Sequence, residues 1–147
     1  MNGQSAQRWS AETEGVLRRA GWYPGRSVST HEWETALQQS GFEINEAARR
    51  FLAEFGGIES TERGPGQTMA RVGFKLDPTV AQWDREDIFD FLNEEAGTDL
   101  YPVGEVDRGN DHLAVAANGA VYAGMDSVVL LAESAEEALE KLALGIR

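Results

Sequence analysis

An acidic segment carries the most conspicuous candidate chemistry of the chain. Between Asp84 and Glu95 the sequence reads D-R-E-D-I-F-D-F-L-N-E-E. At helical spacing its apolar residues share one side and its carboxylates gather on the other. Glu86, Asp90 and Glu94 are successive i,i+4 neighbours of like charge, and each such pair costs a helix about 0.2–0.5 kcal/mol. Because no basic residue lies among these three, the stripe indicates either a solvated face or a surface that binds a basic partner.

Two further residues join this acidic stripe. Trp83 directly precedes the acidic segment, and tryptophan is enriched at the energetic centres of protein interfaces. An exposed Trp83 would anchor a partner, whereas a buried one would pack on a sheet. Asp87 lies on the acidic side of the same helix. The candidate partner-binding residues are Trp83, Glu86, Asp87, Asp90 and Glu94.

The sequence lacks the local motifs of catalysis and metal binding. His31 and His112 are the only histidines, and their spacing fits no local zinc site. We expect His31 in the first turn of a helix and His112 at the start of a strand, each as a surface or edge residue rather than a catalyst. No G-x-S-x-G elbow, phosphate-binding glycine loop or calcium loop occurs. Asp107, Asp111 and Asp126 could meet at a sheet edge and hold a hard cation. Pairs of carboxylates could act as general acid and base, so a hydrolase remains an alternative function. We assign no catalytic, cofactor-binding or metal-binding residue.

Composition limits the class of protein and of partner. The 147 residues, 41% hydrophobic and 26% charged, suit one globular domain, which we expect over residues 8–147 after a flexible segment 1–7. The chain has no cysteine, which excludes disulfides and thiolate metal sites. A formal net charge of -12 disfavours nucleic acid and anionic membranes and is compatible with a basic protein partner. Without a membrane-length apolar stretch or a signal peptide, we expect a cytoplasmic protein.

Helix and strand signals occupy different parts of the chain. Glycine stops such as Gly97 and the capping residues Ser10, Thr30, Asn45 and Asp84 predict helices over residues 11–20, 31–40, 46–55 and 85–96. A capping box that begins at Ser134 opens a final helix. Strand patterns cover residues 58–63, 68–76, 100–106, 112–116, 120–123 and 126–131. Asn118-Gly119 predicts a hairpin, and Pro102 indicates an edge strand or a bulge. The sum is an α+β fold: a mostly antiparallel central sheet flanked by N-terminal helices, one inserted helix and a C-terminal helix.

Several stretches resemble one known family. They are R-W-S-A-E-T-E-G-V-L-R-R-A-G-W-Y-P-G-R (8–26), A-R-R-F-L-A-E-F-G-G-I (48–58), F-K-L-D-P (74–78) and L-Y-P-V-G-E (100–105), followed by G-A-V-Y and E-E-A-L-E-K-L. In this order they span residue 8 to about residue 145. The chain thereby resembles the SUKH superfamily of bacterial immunity proteins, and in particular its third immunity subgroup.

This resemblance implies a fold and a role. The fold is α+β, with a central sheet and helices at both ends. The role is that of a cytoplasmic protein that neutralises a toxin delivered between bacterial cells, often a nuclease or nucleic-acid deaminase encoded nearby, without enzymatic activity. The wider superfamily also includes general interaction and regulatory modules, which remain an alternative. Ala116-Ala117-Asn118-Gly119 departs from the acidic residues expected before the hairpin glycine, so the resemblance does not assign partner contacts to this turn.

Overall fold

A computed structural model describes residues 8–146, so the expected flexible segment 1–7 lies outside the described residues. Within this range there are five α-helices and six strands. The helices are α1 (Ala11–Ala20), α2 (His31–Gln39), α3 (Glu46–Phe55), α4 (Asp90–Ala96) and α5 (Ala135–Leu144). The strands are β1 (Glu59–Ser60), β2 (Phe74–Lys75), β3 (Leu100–Val106), β4 (Asp111–Ala116), β5 (Val121–Gly124) and β6 (Val128–Ala132).

The strands form one sheet in the order β1-β2-β3-β4-β5-β6, and every neighbouring pair is antiparallel. Three helices precede the sheet in sequence, α4 is inserted between β2 and β3, and α5 follows β6. The predicted α+β fold with helices at both ends is therefore confirmed. No helix among residues 8–146 is long and apolar enough to cross a membrane.

Three of the predicted helix caps are formed by the expected side chains. Ser10, Asn45 and Ser134 each accept a hydrogen bond from the backbone amide three residues later, which satisfies an amide that the helix leaves unpaired. Thr30 makes no such bond, since its hydroxyl donates to the carboxylate of Glu34 instead. Local capping chemistry thus fixes most helix starts where the sequence predicts them.

The first two strands are much shorter than the sequence predicts, with two residues each. The reason lies in the connection between them, which closes the end of α5. The Gln67 amide donates to the Leu144 carbonyl at 2.8 Å, and the Thr68 and Met69 amides donate to the Gly145 carbonyl. Backbone groups that satisfy a helix end cannot also pair in a sheet, which accounts for residues 68 and 69. Arg71 forms only an isolated bridge to Gly64, and the predicted strand over 68–76 is wrong outside Phe74–Lys75.

Pro102 marks a bulge in an interior strand. The register between β3 and β4 shifts between Pro102 and Gly104, so the bulge alternative is confirmed and the edge alternative is wrong. The glycine also permits a close approach of β2, because a Cβ at residue 104 would lie 2.9 Å from the Cα of Leu76. A proline and a glycine are therefore accommodated in mid-sheet, where each would otherwise weaken pairing.

Aromatic side chains hold the terminal helices to one another. The rings of Trp9 and Trp22 meet edge to face at 5.2 Å, and Trp9 also contacts Phe55. Trp9 Nε1 donates to the Glu136 carbonyl at 2.9 Å, which ties the start of the described chain to α5. Offset and edge-to-face pairs of this kind add to the stabilisation from burial alone. A second aromatic cluster, built around Phe89, positions the acidic segment.

Candidate partner-binding surface

The acidic segment begins with one wide helical turn rather than a regular α-helix. The Phe89 amide donates to the Asp84 carbonyl at 3.0 Å, and the Asp90 amide donates to the Arg85 carbonyl. These bonds, five residues apart, define a π turn over Arg85–Phe89, which leads directly into α4. Such turns are rare and frequently occur at functional sites. Gly97 ends α4 in a left-handed conformation, as predicted.

His112 is buried in the interior strand β4, so the prediction of a surface or edge residue is wrong. Only 5% of its surface is exposed, and its Nε2 lies 3.0 Å from Oδ2 of Asp84. Its ring also packs at 5.3 Å from the ring of Phe89. Asp84 therefore does not cap the helix through its side chain, as the sequence suggested, but joins the start of the acidic segment to β4. This contact across the fold fixes where α4 lies.

Asp90 is paired, contrary to the expectation of an acidic stripe without a cation. The guanidinium of Arg85 forms a salt bridge with the Asp90 carboxylate. Arg85 also donates to the Gly41 carbonyl and lies over the ring of Phe42. The wide turn brings residues 85 and 90 together, which the i,i+4 reading of the sequence did not anticipate. Asp90 is consequently less available to a partner than its neighbours.

The remaining carboxylates of the predicted set are exposed and unpaired. Glu86, Asp87 and Glu94 all face solvent, and within residues 8–146 none of them forms a salt bridge with a basic side chain. At a rise of 1.5 Å per residue, the stripe from Glu86 to Glu94 extends about 12 Å. The free negative charge predicted for this surface is present at these three positions.

Trp83 is 82% exposed, so it does not pack on the sheet and is available to a partner. It lies beside the start of the acidic segment, where a shallow cleft of about 210 Å³ separates it from the end of α2. Glu86 and Asp87 line the same cleft. Exposure of a large aromatic side chain next to unpaired carboxylates is typical of protein interfaces, whose centres favour aromatic anchors.

The apolar side of α4 is narrower than predicted. Phe89 and Leu92 are buried, but Phe91 is 42% exposed. Successive residues of an α-helix are turned by about 100°, so Phe91 falls at the border between the buried and the solvent-facing sides. It adds a second exposed aromatic ring to the surface that carries the unpaired carboxylates.

An exposed apolar edge strand was not anticipated from the sequence. β6 ends the sheet, and its residues Val129 and Leu130 are 62% and 48% exposed. The run V-V-L-L-A indicated a strand but not its place in the sheet, because sheet order depends on contacts between distant segments. Leu92 of α4 packs against β5 at Gly124, which pairs with Val128 of β6.

A wider groove lies elsewhere among the described residues, and most of its carboxylates are paired. It measures about 600 Å³ and runs between α3, the Asn118-Gly119 turn and the start of α5. Two of its acidic residues, Glu54 and Glu136, both bind the guanidinium of Arg8. Burial pushes the pKa of Glu54 upward, but hydrogen bonds from Arg8 and from the Trp22 indole outweigh it and lower that pKa. These carboxylates stabilise the fold and offer little free charge to a partner.

The three aspartates considered for a cation do not assemble into a site. Asp107 accepts hydrogen bonds from Arg63 and Asn110, each at 2.7 Å, and these bonds lower its pKa. Burial, together with the charges of Asp107 and Asp126, raises the pKa of Asp111. Among residues 8–146 no three acidic or histidine side chains are arranged to hold a metal ion.

Comparison with known proteins identifies the family. The family described as SUKH-3 immunity protein matches residues 9–145 of the 147-residue chain. No curated protein and no solved structure matches it. The match covers all five helices and all six strands found among the described residues. The resemblance seen in the sequence is confirmed, and the chain belongs to the SUKH-3 immunity protein family.

Proposed function

We propose that this protein binds and neutralises a toxin that acts on nucleic acid, by protein–protein association and without a catalytic step. Membership of an immunity protein family implies a cognate toxin partner. The observation that carries the rest is the exposed Trp83 beside the unpaired carboxylates of Glu86, Asp87 and Glu94. Residues 8–147 would act as one domain in the cytoplasm, where such a toxin meets its target.

Electrostatics support a basic partner. Proteins that bind nucleic acid present Lys and Arg to the phosphates, so a nuclease or a deaminase domain has a basic surface near its active site. An inhibitor with a net charge of -12 and free carboxylates around an aromatic anchor complements that surface. Complementary charge raises association rates to as much as 10⁸–10⁹ M⁻¹s⁻¹ at low salt. Fast capture suits a protein that must bind a toxin before it acts.

The first test is association with the toxin domain encoded by the adjacent reading frame. Changing Glu86→Lys together with Asp87→Lys should lower the association rate about tenfold at low salt and make it less dependent on salt. Asp90 is left in place because it pairs with Arg85. The measurement is stopped-flow mixing of the two proteins over a range of salt concentrations.

A control variant separates local charge from total charge. Glu12→Lys together with Glu59→Lys changes two exposed residues of α1 and β1. Each reversal adds two charges, so both double variants move from -12 to -8. The control should associate nearly as fast as the unmodified protein. Equal slowing in both variants would remove the acidic segment from the interface, and absence of any complex with the neighbouring toxin would refute the proposed function.

A further inference from the structure

We propose that the outer edge of β6 receives an extended basic segment of the toxin as a seventh strand of the sheet. This inference rests on the proposed function and specifies how the partner would be held. Strand addition supplies affinity through main-chain hydrogen bonds and specificity through the side chains that flank the new strand.

The outer edge of β6 is open to solvent. Among the described residues no strand pairs with that edge. Val129 and Leu130 are adjacent in sequence and both largely exposed. Because successive residues of a strand point to opposite faces of a sheet, exposure of both shows that neither face of β6 is covered at this point. An added strand would meet no obstacle from the helices there.

Over Val128–Leu130 the edge lacks the usual protection against pairing, whereas at Leu131 the register shifts and the carbonyl already accepts a hydrogen bond from Lys141 of α5 at 2.8 Å. Natural edge strands carry lysines, prolines, inward-pointing charges or bulges that block the approach of another strand. β6 contains only valine, leucine and alanine. Its pairing with β5 is regular from Val128 to Leu130, and the register shifts only beyond Leu130. Three consecutive residues are therefore in regular extended conformation, and alternate residues among them direct their amide and carbonyl groups to the open side.

A strong negative field lies beside this edge. The Cδ2 atom of Leu92 would be 3.0 Å from a Cβ at Gly124, whose backbone pairs with Val128. The α4 helix therefore lies against the turn end of the β5–β6 hairpin, where β5 ends and β6 begins. Residues 84–96 hold six carboxylates and one guanidinium, a net charge of -5. The acidic residues are Asp84, Glu86, Asp87, Asp90, Glu94 and Glu95. A strand with Lys or Arg side chains would find its counter-charge on this neighbouring helix.

The same charge argues against a second copy of this chain as the occupant. Two β6 strands paired across a twofold axis would bring two α4 helices, each in a segment of charge -5, to the same interface. Like charges placed together in an interface are strongly unfavourable. A basic segment of another protein would both pair with the open backbone groups of β6 and neutralise the negative charge of residues 84–96. Self-association would pair the backbone groups but leave the like charges facing each other.

Amide hydrogen exchange on the complex with the adjacent toxin domain tests the proposal. In the free protein, those amides of β6 that face the open edge should exchange rapidly, because they lack a partner. In the complex they should slow at least about tenfold. The amides of β1, at the opposite edge of the sheet, provide the internal reference and should not change.

A substitution test is independent of exchange. Val129→Lys together with Leu130→Lys adds positive charge and the protection typical of natural edges, and should weaken binding at least about thirtyfold. Glu59→Lys, on the exposed face of β1, is the matched control and should bind as the unmodified protein does. Thermal unfolding of each variant verifies that it is folded. If the double variant does not fold, the amide exchange experiment on the unmodified protein still tests strand addition.

The outcomes separate this inference from the proposed function. If the complex forms while β6 amides keep their exchange rates, or if only α4 is protected, strand addition is overturned and the proposed function stands. If the free protein forms a dimer, and the Val129→Lys, Leu130→Lys variant does not, the occupant of the edge is a second copy of the chain. That result would also overturn the proposal that a toxin segment binds there. No complex with the unmodified protein would overturn both.

Discussion

Replacement of Trp83 by alanine should weaken toxin binding without unfolding the protein. A tryptophan side chain can bury about 250 Å², and the 82% exposure of Trp83 leaves roughly 200 Å² of that for a partner. At about 25 cal/mol per Å², full burial in a complex would contribute at most about 5 kcal/mol. Ordering of the ring and incomplete burial reduce this value, so we expect a loss of at least about 2 kcal/mol, or about thirtyfold in Kd.

The same substitution should have little effect on folding. Trp83 contacts the rest of the protein over only about 45 Å², which corresponds to about 1 kcal/mol of unfolding free energy at most. Tyr23→Ala is the control, because Tyr23 is a 54% exposed aromatic residue in the turn after α1. Titration calorimetry gives the two Kd values and urea unfolding gives the stabilities. A Kd for Trp83→Ala within twofold of the unmodified protein would refute the assignment of Trp83 to the interface.

Two further predictions concern stability. Gly56→Ala should destabilise the protein by about 1–3 kcal/mol in urea unfolding, because a Cβ at residue 56 would lie 2.5 Å from Cη2 of Trp33; an unchanged midpoint would contradict this close packing. Asp111→Asn should raise the thermal midpoint at neutral pH, because burial raises the pKa of Asp111 and its ionisation therefore costs more in the folded than in the unfolded protein. The unmodified protein becomes less stable as the pH rises from the ordinary aspartate pKa through the raised pKa of Asp111, because the buried carboxyl then ionises. In acid Asp111 is protonated in both the folded and the unfolded protein, so the difference in thermal midpoint between the two proteins should vanish. Glu34→Gln is the control of opposite sign: the hydrogen bond from Arg49 lowers the pKa of Glu34, and the resulting stabilisation is lost as the pH falls through that pKa. Equal midpoints for Asp111→Asn and the unmodified protein at pH 7 would refute the burial argument.

The predictions that held depend on neighbours in sequence. Ser10, Asn45 and Ser134 cap their helices because a cap needs only a side-chain oxygen and an amide three residues on. The Asn118-Gly119 hairpin likewise follows from the backbone conformation that this pair adopts in tight turns. Such features are encoded within a few residues, so a single sequence is enough to find them.

The predictions that failed depend on distant contacts. His112 is buried because Asp84, 28 residues earlier, reaches it across the fold. The strand predicted over 68–76 is mostly absent because residues 67–69 bind the end of α5 instead. Nothing in the local sequence around either segment signals these contacts. In the candidate surface, the exposed carboxylates were predictable from periodicity, whereas the Arg85–Asp90 pair depends on a π turn that periodicity does not show.

The exposed edge of β6 could not be found from sequence alone. The residues V-V-L-L-A are equally suited to a central strand covered on both faces. Only the order of the strands places them at the end of the sheet. The most informative part of the candidate surface is thus the part that required the fold.

The sequential order of the six strands has a consequence for how the chain folds. Every strand pairs with the strand next to it in sequence. The β3–β4, β4–β5 and β5–β6 hairpins close over short connections at low entropic cost, whereas the pairing of β2 with β3 must span the inserted α4. Contact between α1 and α5 instead joins the two ends of the described chain, as in the hydrogen bond from the Thr13 hydroxyl to the Glu140 carboxylate. We therefore expect a transition state in which the β4–β5 hairpin is formed and the terminal helices are still undocked. Substitutions in α1 should mainly accelerate unfolding, whereas those in the hairpin should slow folding.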